Sequence, residues 1–124
     1  MDFVRSILAK FKKKEPVLAL TDQIFTPTFI DDIALTIKFL IKQKITGLYH
    51  LVGSQFLTPY QAINFIVDQF NLDYNRITGV KMDEYYQGRA PRPKNLALRN
   101  DKIKKLGIKM RSFEEGIKEV KRQM

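Results

Sequence analysis

The sequence predicts an α/β fold in which short, partly parallel strands alternate with helices. Two observations carry this. Segments with apolar residues at helical spacing alternate along the chain with compact apolar runs of strand length, and helix-start signatures stand ahead of the periodic segments. No internal repeat, low-complexity tract or linker divides the chain, so residues 1–124 are expected to form one domain.

Residues 3–14 place Phe3, Val4, Ile7, Leu8 and Phe11 on one helical face, and Pro16 stops that helix. A short strand, Val17–Leu20, follows. After a turn at Pro27, Thr28 is expected to open a second helix, with Asp31 as its capping-box partner. Ile30, Ile33, Ala34, Ile37, Leu40 and Ile41 form one apolar face of that helix, and Leu35 and Phe39 widen it, which implies burial on more than one side. GLYHLVG, residues 47–53, has the length and glycine flanks of an interior strand with neighbours on both edges. Thr58, Pro59 and Gln61 start a third helix carrying Ile63, Ile66, Val67 and Phe70 and ending near Asn71. RITGVKM, residues 76–82, reads as another strand. Asn100 or Asp101 caps a short helix ending at Gly107, and Ser112 with Glu115 caps the last one.

Composition narrows the function classes. An apolar content of 44% argues against disorder, and no apolar run reaches the ~18 residues that a membrane-spanning helix requires. The opening MDFVRSILAKFKKK is broken by Arg5 and has no small-residue cleavage site, and the chain has no cysteine for disulfides, so the cytoplasm is the expected address. A net charge of +9 raises nucleic acid as a partner. The distribution opposes it: Lys12, Lys13, Lys14, Lys42 and Lys44 cluster at helix carboxyl ends, where cations complement the dipole, and no nucleic-acid-binding motif is found.

Candidates for catalysis are few. His50, the only histidine, lies in the 47–53 run and reads as a hydrogen-bonded core residue before a general base. Asp31 and Asp32 read as complements to a helix dipole, since adjacent helical residues do not converge on a substrate. Ser6, Ser54 and Ser112 have no recognisable activating partner. There is no G-x-G-x-x-G and no phosphate loop. No catalytic, cofactor-binding or metal-binding residue is therefore predicted. One stretch does suggest binding: GRAPRPKNLALRNDKIKKLGI, residues 88–108, displays Arg89, Arg92, Lys94 and Arg99 around Pro91 and Pro93, which hold Ala90 and Arg92 extended. Guanidinium groups on a stiff loop suit a bidentate phosphate or carboxylate, with a merely solvated basic loop as the alternative.

Three segments, TDQIFTPTFIDDIA, GLYHLVGSQFLTPYQAINFI and RPKNLALRNDKIKKLGI, occur in the order and spacing of the carboxyl-terminal part of the dTDP-4-dehydrorhamnose reductase family, in the extended short-chain dehydrogenase/reductase superfamily. The chain also resembles the regulatory beta subunit of methionine adenosyltransferase. The most specific pieces are Asp22-Gln23 with Pro27-Thr28, Tyr49-His50 before Gly53, and Arg92-Pro93 with Asn95, Leu98 and Lys102. The resemblance implies a substrate-binding lobe separated from its Rossmann half, with Arg92, Asn95, Arg89, Gln23 and Thr28 at a sugar-nucleotide site and Arg92 near the diphosphate. NADPH or NADH would belong to the missing half, as would the Tyr-x-x-x-Lys pair: none of the five tyrosines has a lysine four residues on. No independent reductase activity is expected. Phe25 stands in place of a family glycine and Arg99 in place of a family aspartate. These departures favour the alternative, a noncatalytic regulatory or interaction module. Without a Rossmann half the chain is expected to form a homodimer through Ile33, Ile37 and Leu40, or to pair with a separate Rossmann-domain chain.

Overall fold

The computed structural model describes residues 2–124. Helix α1 (Phe3–Lys12) starts at Asp2, whose side chain accepts the Arg5 N–H at 2.8 Å. It buries Val4, Ile7 and Phe11. Strand β1 (Val17–Leu20) follows and pairs in parallel with β3 (Ile77–Val80), Val17 opposite Ile77 and Leu20 opposite Val80. Between them lie β2 (Ile24–Phe25), α2 (Ile30–Lys42) and α3 (Pro59–Phe70). After β3 come α4 (Met82–Tyr85), β4 (Asn95–Leu96), α5 (Asp101–Lys104) and α6 (Phe113–Gln123). The predicted α/β alternation with parallel strands is present, and a second two-stranded parallel sheet, Ile24 opposite Asn95 and Phe25 opposite Leu96, joins segments the sequence did not mark as strands.

The main core gathers α1, β1, α3 and α6 around Val17, Ile63, Ile66, Val67 and Ile117. A smaller cluster of Leu20, Val80 and Met82, with Tyr86 packed on it, seals the carboxyl ends of β1 and β3. Helix α3 forms as its sequence requires: Thr58 and Gln61 exchange hydrogen bonds in a capping box, Pro59 takes the first turn, and Asn71 ends the helix in the left-handed region at φ 52°. Ser112 and Glu115 do the same for α6. The Ser112 N–H, and after it Lys109, hold the Glu115 carboxylate down to a pKa of about 2, against an ordinary value of 4.5. A depressed carboxylate pKa contributes stability that is complete above pH 4.5 and disappears as the pH falls through about 2. Because Glu115 is solvent-exposed, the contribution is below about 1 kcal/mol. Glu115→Gln should flatten the acid limb of stability between pH 4.5 and 2, measured by urea unfolding at a series of pH values. An unchanged acid limb would remove Glu115 from the account.

Three expectations are corrected. Thr28 does not cap α2: the cap is Phe29, with no side-chain bond, because the Thr28 hydroxyl is engaged by the Gly53 N–H at 3.1 Å. Residues 47–53 are not a strand. Among the described residues no strand pairs with them, and three of their carbonyls are met by side chains: Lys102 Nζ donates to Leu48 O at 2.7 Å, and Asn100 Nδ2 to Val52 O and Gly53 O at 3.2 Å each. His50 is itself exposed and is not a core histidine.

Within this chain helix α2 buries polar positions rather than its apolar stripe. The buried positions are polar, Asp32 and Thr36, while Ile30, Leu35, Ile37 and Ile41 are 68%, 62%, 45% and 72% exposed. Asp32 is not a free dipole complement: it receives the Arg111 backbone N–H at 2.8 Å and pairs with the Arg111 guanidinium at 2.5 Å. The inner face of α2 therefore grips residues 110–111, and its apolar stripe of Ile30, Ala34, Ile37 and Ile41 faces away from the core. No helix of the described residues is long and apolar enough to cross a membrane.

Candidate functional site

The segment carrying Arg89 and Arg92 is built as a loop fastened at both ends by one dipeptide, Asp22-Gln23, at the exit of β1. At the near end, Asp22 Oδ1 accepts the Met82 N–H at 2.9 Å and so fixes the start of α4. At the far end, Gln23 Nε2 donates to Pro93 O at 3.0 Å and the Ile24 N–H to Lys94 O at 2.8 Å, where β2 and β4 begin to pair. Lys94 Nζ closes on Asp22 Oδ2 at 3.7 Å. The two anchors are adjacent because β1 ends there, and Gln23 can reach the loop because Pro91 and Pro93 keep its return path extended.

Within the loop, each arginine lies over a tyrosine from the end of α4. The Arg89 guanidinium is 6.0 Å from the centre of the Tyr85 ring and that of Arg92 is 5.8 Å from the centre of Tyr86; the two rings meet edge to face at 5.0 Å. Among the described residues neither arginine has a carboxylate partner, whereas Arg99 is paired with Asp101 at 2.7 Å. Two exposed guanidinium groups without counter-ions, presented from a loop of fixed ends, can take an anion with planar, bidentate geometry.

The predicted site residues divide. Gln23, Arg92 and Asn95 come together: Gln23 is buried beneath the loop and Asn95 stands in β4 opposite Ile24, its side chain accepting the Ala97 N–H at 3.0 Å. Arg89 occupies the same loop, over Tyr85. Thr28 lies elsewhere, at the crossing with Gly53, on the wall of an apolar cleft of about 300 Å³ lined also by Phe3, Phe25, Phe29, Phe113 and Val120. Phe25 is packed edge-on against Phe3 there, ring centres 5.9 Å apart. Sequence reasoning missed Asp22 as an anchor and Tyr85 and Tyr86 as the supports of the arginines. The spacing of Tyr85 to Arg89 and of Tyr86 to Arg92, four and six residues around Gly88 and Pro91, was the available signal.

The residues present do not fit a dinucleotide. Strand β1 leads into Asp22-Gln23 and β3 into Lys81-Met82, and neither exit carries the glycines that admit a pyrophosphate. Among the described residues no group of three or more histidine or acidic side chains is placed to hold a metal ion.

A lobe of short parallel strands alternating with helices is the class of fold found in part of the extended short-chain dehydrogenase/reductases. The chain belongs to the RmlD substrate binding domain family, which matches residues 1–124. It superposes on a dTDP-4-dehydrorhamnose reductase from Bacillus anthracis, solved in complex with NADP, with a TM-score of 0.89 and 25% identity, over 100% of this chain and 44% of that one. Among curated proteins it is 28% identical to the spore coat polysaccharide biosynthesis protein SpsK of Bacillus subtilis, over 95% of this chain and 41% of the relative. It is 33% identical to methionine adenosyltransferase 2 subunit beta of Xenopus tropicalis, over 75% of this chain and 29% of the relative. The chain thus spans less than half the length of these relatives.

Proposed function

We propose that this chain is the sugar-nucleotide-binding lobe of a dTDP-4-dehydrorhamnose reductase-like protein, and that Arg92 contacts the diphosphate of the ligand. The observation that carries the reading is the double fastening of the Arg89–Arg92 loop to Asp22-Gln23, which holds two uncompensated guanidinium groups at one edge of the lobe. Hydride transfer would require residues this chain does not contain, so the lobe binds and a Rossmann half reacts. Arg92→Ala should weaken binding of dTDP-glucose by about 1.5–3 kcal/mol, roughly ten- to a hundredfold, the worth of hydrogen bonds to a charged group. Isothermal titration calorimetry is the test; no binding by the parent chain, or equal binding by the variant, defeats the assignment.

A second reading, a noncatalytic interaction module, is favoured by Phe25, whose ring packs on Phe3 in the apolar cleft, and by Arg99, which is paired with Asp101 rather than open to an anion. Either reading needs the apolar stripe of α2 covered, by a Rossmann half or, for the chain alone, by a second copy. Covering its three isoleucines is worth several kcal/mol at about 1.5–3 kcal/mol for each one fully buried. The chain alone should sediment as a dimer at micromolar concentration, and Ile37→Asp should return it to monomer. A monomeric parent would show that the stripe tolerates water.

A further inference from the structure

We infer that Tyr86 is a positioning residue, which holds the Arg92 guanidinium in its anion-binding orientation. The inference deepens the reading of Arg92 given above and rests on it for the identity of the anion. Three observations support it. Arg92 is exposed and has no carboxylate partner among the described residues, so no ion pair fixes its side chain. Its guanidinium instead lies 5.8 Å from the centre of the Tyr86 ring. Tyr86 itself is half-buried and packed on Leu20, Val80 and Met82, at the ends of the paired strands β1 and β3.

These contacts make a continuous support from the sheet to the charge. A free arginine side chain gives up rotamer freedom on binding, and a guanidinium already drawn towards an aromatic ring gives up less on meeting a ligand. The backbone of the loop is held separately, by Gln23 at Pro93 and by the Arg89 N–H bond to Tyr86 O at 2.9 Å. Replacing the Tyr86 ring should therefore release the guanidinium without releasing the loop. The neighbouring Arg89 and Tyr85 repeat the arrangement more weakly, since Tyr85 is itself exposed and its ring is 6.0 Å away.

The test compares Tyr86→Phe, which keeps the ring, with Tyr86→Leu, which keeps apolar packing on Leu20, Val80 and Met82 but removes the aromatic face. Two measurements are made on the whole chain. In the first, without ligand, NMR relaxation of the Arg92 Nε–H and the ring-current shift of its Cδ protons should show an ordered, shifted side chain in the parent and in Tyr86→Phe. Both signatures should be lost in Tyr86→Leu. In the second, calorimetric titration with dTDP should give a threefold to tenfold weaker Kd for Tyr86→Leu, near-parent affinity for Tyr86→Phe, and no further loss when Tyr86→Leu is added to Arg92→Ala. A role in folding alone would weaken binding equally in both backgrounds.

An Arg92 side chain as mobile in the parent as in Tyr86→Leu overturns the inference. So does a Tyr86→Leu loss that persists in the Arg92→Ala background. If the parent fails to bind dTDP, the sugar-nucleotide reading falls, and the NMR comparison still decides whether Tyr86 orders Arg92.

Discussion

Gly53→Ala should cost about 3–5 kcal/mol, which approaches the whole stability of a domain of this size, commonly about 5–15 kcal/mol. Four segments cross at this residue. Its N–H donates to the Thr28 hydroxyl at 3.1 Å, its carbonyl accepts from Asn100 Nδ2 at 3.2 Å, and the next N–H, of Ser54, donates to Arg111 O at 3.2 Å. A Cβ placed here would lie well inside contact distance of the Pro27 carbonyl oxygen and 3.2 Å from the Arg111 carbonyl oxygen. Both obstacles are backbone, so no side chain can swing away. Overpacking alone costs about 1–3 kcal/mol and sometimes more. Separating the strands of chain leaves the Gly53 N–H and the buried Asn100 amide short of partners, at about 1–3 kcal/mol for each buried group left unpaired. The measurement is the urea midpoint of Gly53→Ala beside Gly107→Ala. Gly107 has φ +79° but open space around it, so its substitution reports backbone strain without collision. A Gly53→Ala loss below about 1 kcal/mol would mean that the crossing yields far more than its hydrogen bonds suggest.

The parts of this fold that were legible in the sequence are those whose causes are local. Thr58-Pro59 with Gln61, and Ser112 with Glu115, state both the start of a helix and its hydrogen bonds within four residues, and both boxes formed. Thr28 with Asp31 has the same look, but the Thr28 hydroxyl is taken by Gly53, 25 residues away. The apolar run at 47–53 was misread for a related reason: hydrophobicity identifies a segment that needs covering, and what covers it is a matter of the neighbours the chain provides. Leu48 is 79% exposed, whereas Tyr49, Leu51 and Val52 are half-buried and Gly53 is buried, so the run is covered only in part, and not by strands. The stripe of α2 is apolar as its pattern requires and stays uncovered within this chain.

The candidate site divides along the same line. Proline spacing and arginine content announced a displayed basic loop, and the loop is displayed. Its fastening to Asp22-Gln23 spans 60 residues from Asp22 to Met82 and 70 from Gln23 to Pro93, a separation over which no sequence period operates. The two-residue strands β2 and β4 are equally silent, being too short to carry an alternation. They matter nonetheless, because their pairing sets Asn95 beside Ile24 and returns the loop to the lobe.

The second large effect is expected at Asp32, where the long-range grip of α2 depends on one carboxylate. Asp32 is 6% exposed and uses both oxygens on one residue: Oδ2 accepts the Arg111 N–H at 2.8 Å, and Oδ1 the Arg111 guanidinium at 2.5 Å. That guanidinium also lies 5.0 Å from the centre of the Phe29 ring, so a single arginine closes the amino-terminal end of α2 over residues 110–112. Breaking a buried ion pair by removing one partner commonly costs about 3–5 kcal/mol. Arg111 remains partly open to water and can rehydrate, which places Asp32→Ala at about 2–4 kcal/mol. Asp32→Asn keeps an acceptor for the Arg111 N–H while removing the charge, and should lose about half as much. The two interactions separate in a cycle of Asp32→Ala and Arg111→Ala: the backbone bond survives loss of the arginine side chain, so the coupling energy reports the ion pair alone. Urea unfolding of the four proteins should give a coupling of at least about 1 kcal/mol. Strict additivity would mean that α2 is held by Thr36, Met110 and their surroundings, and that the Asp32–Arg111 pair is incidental to its seating.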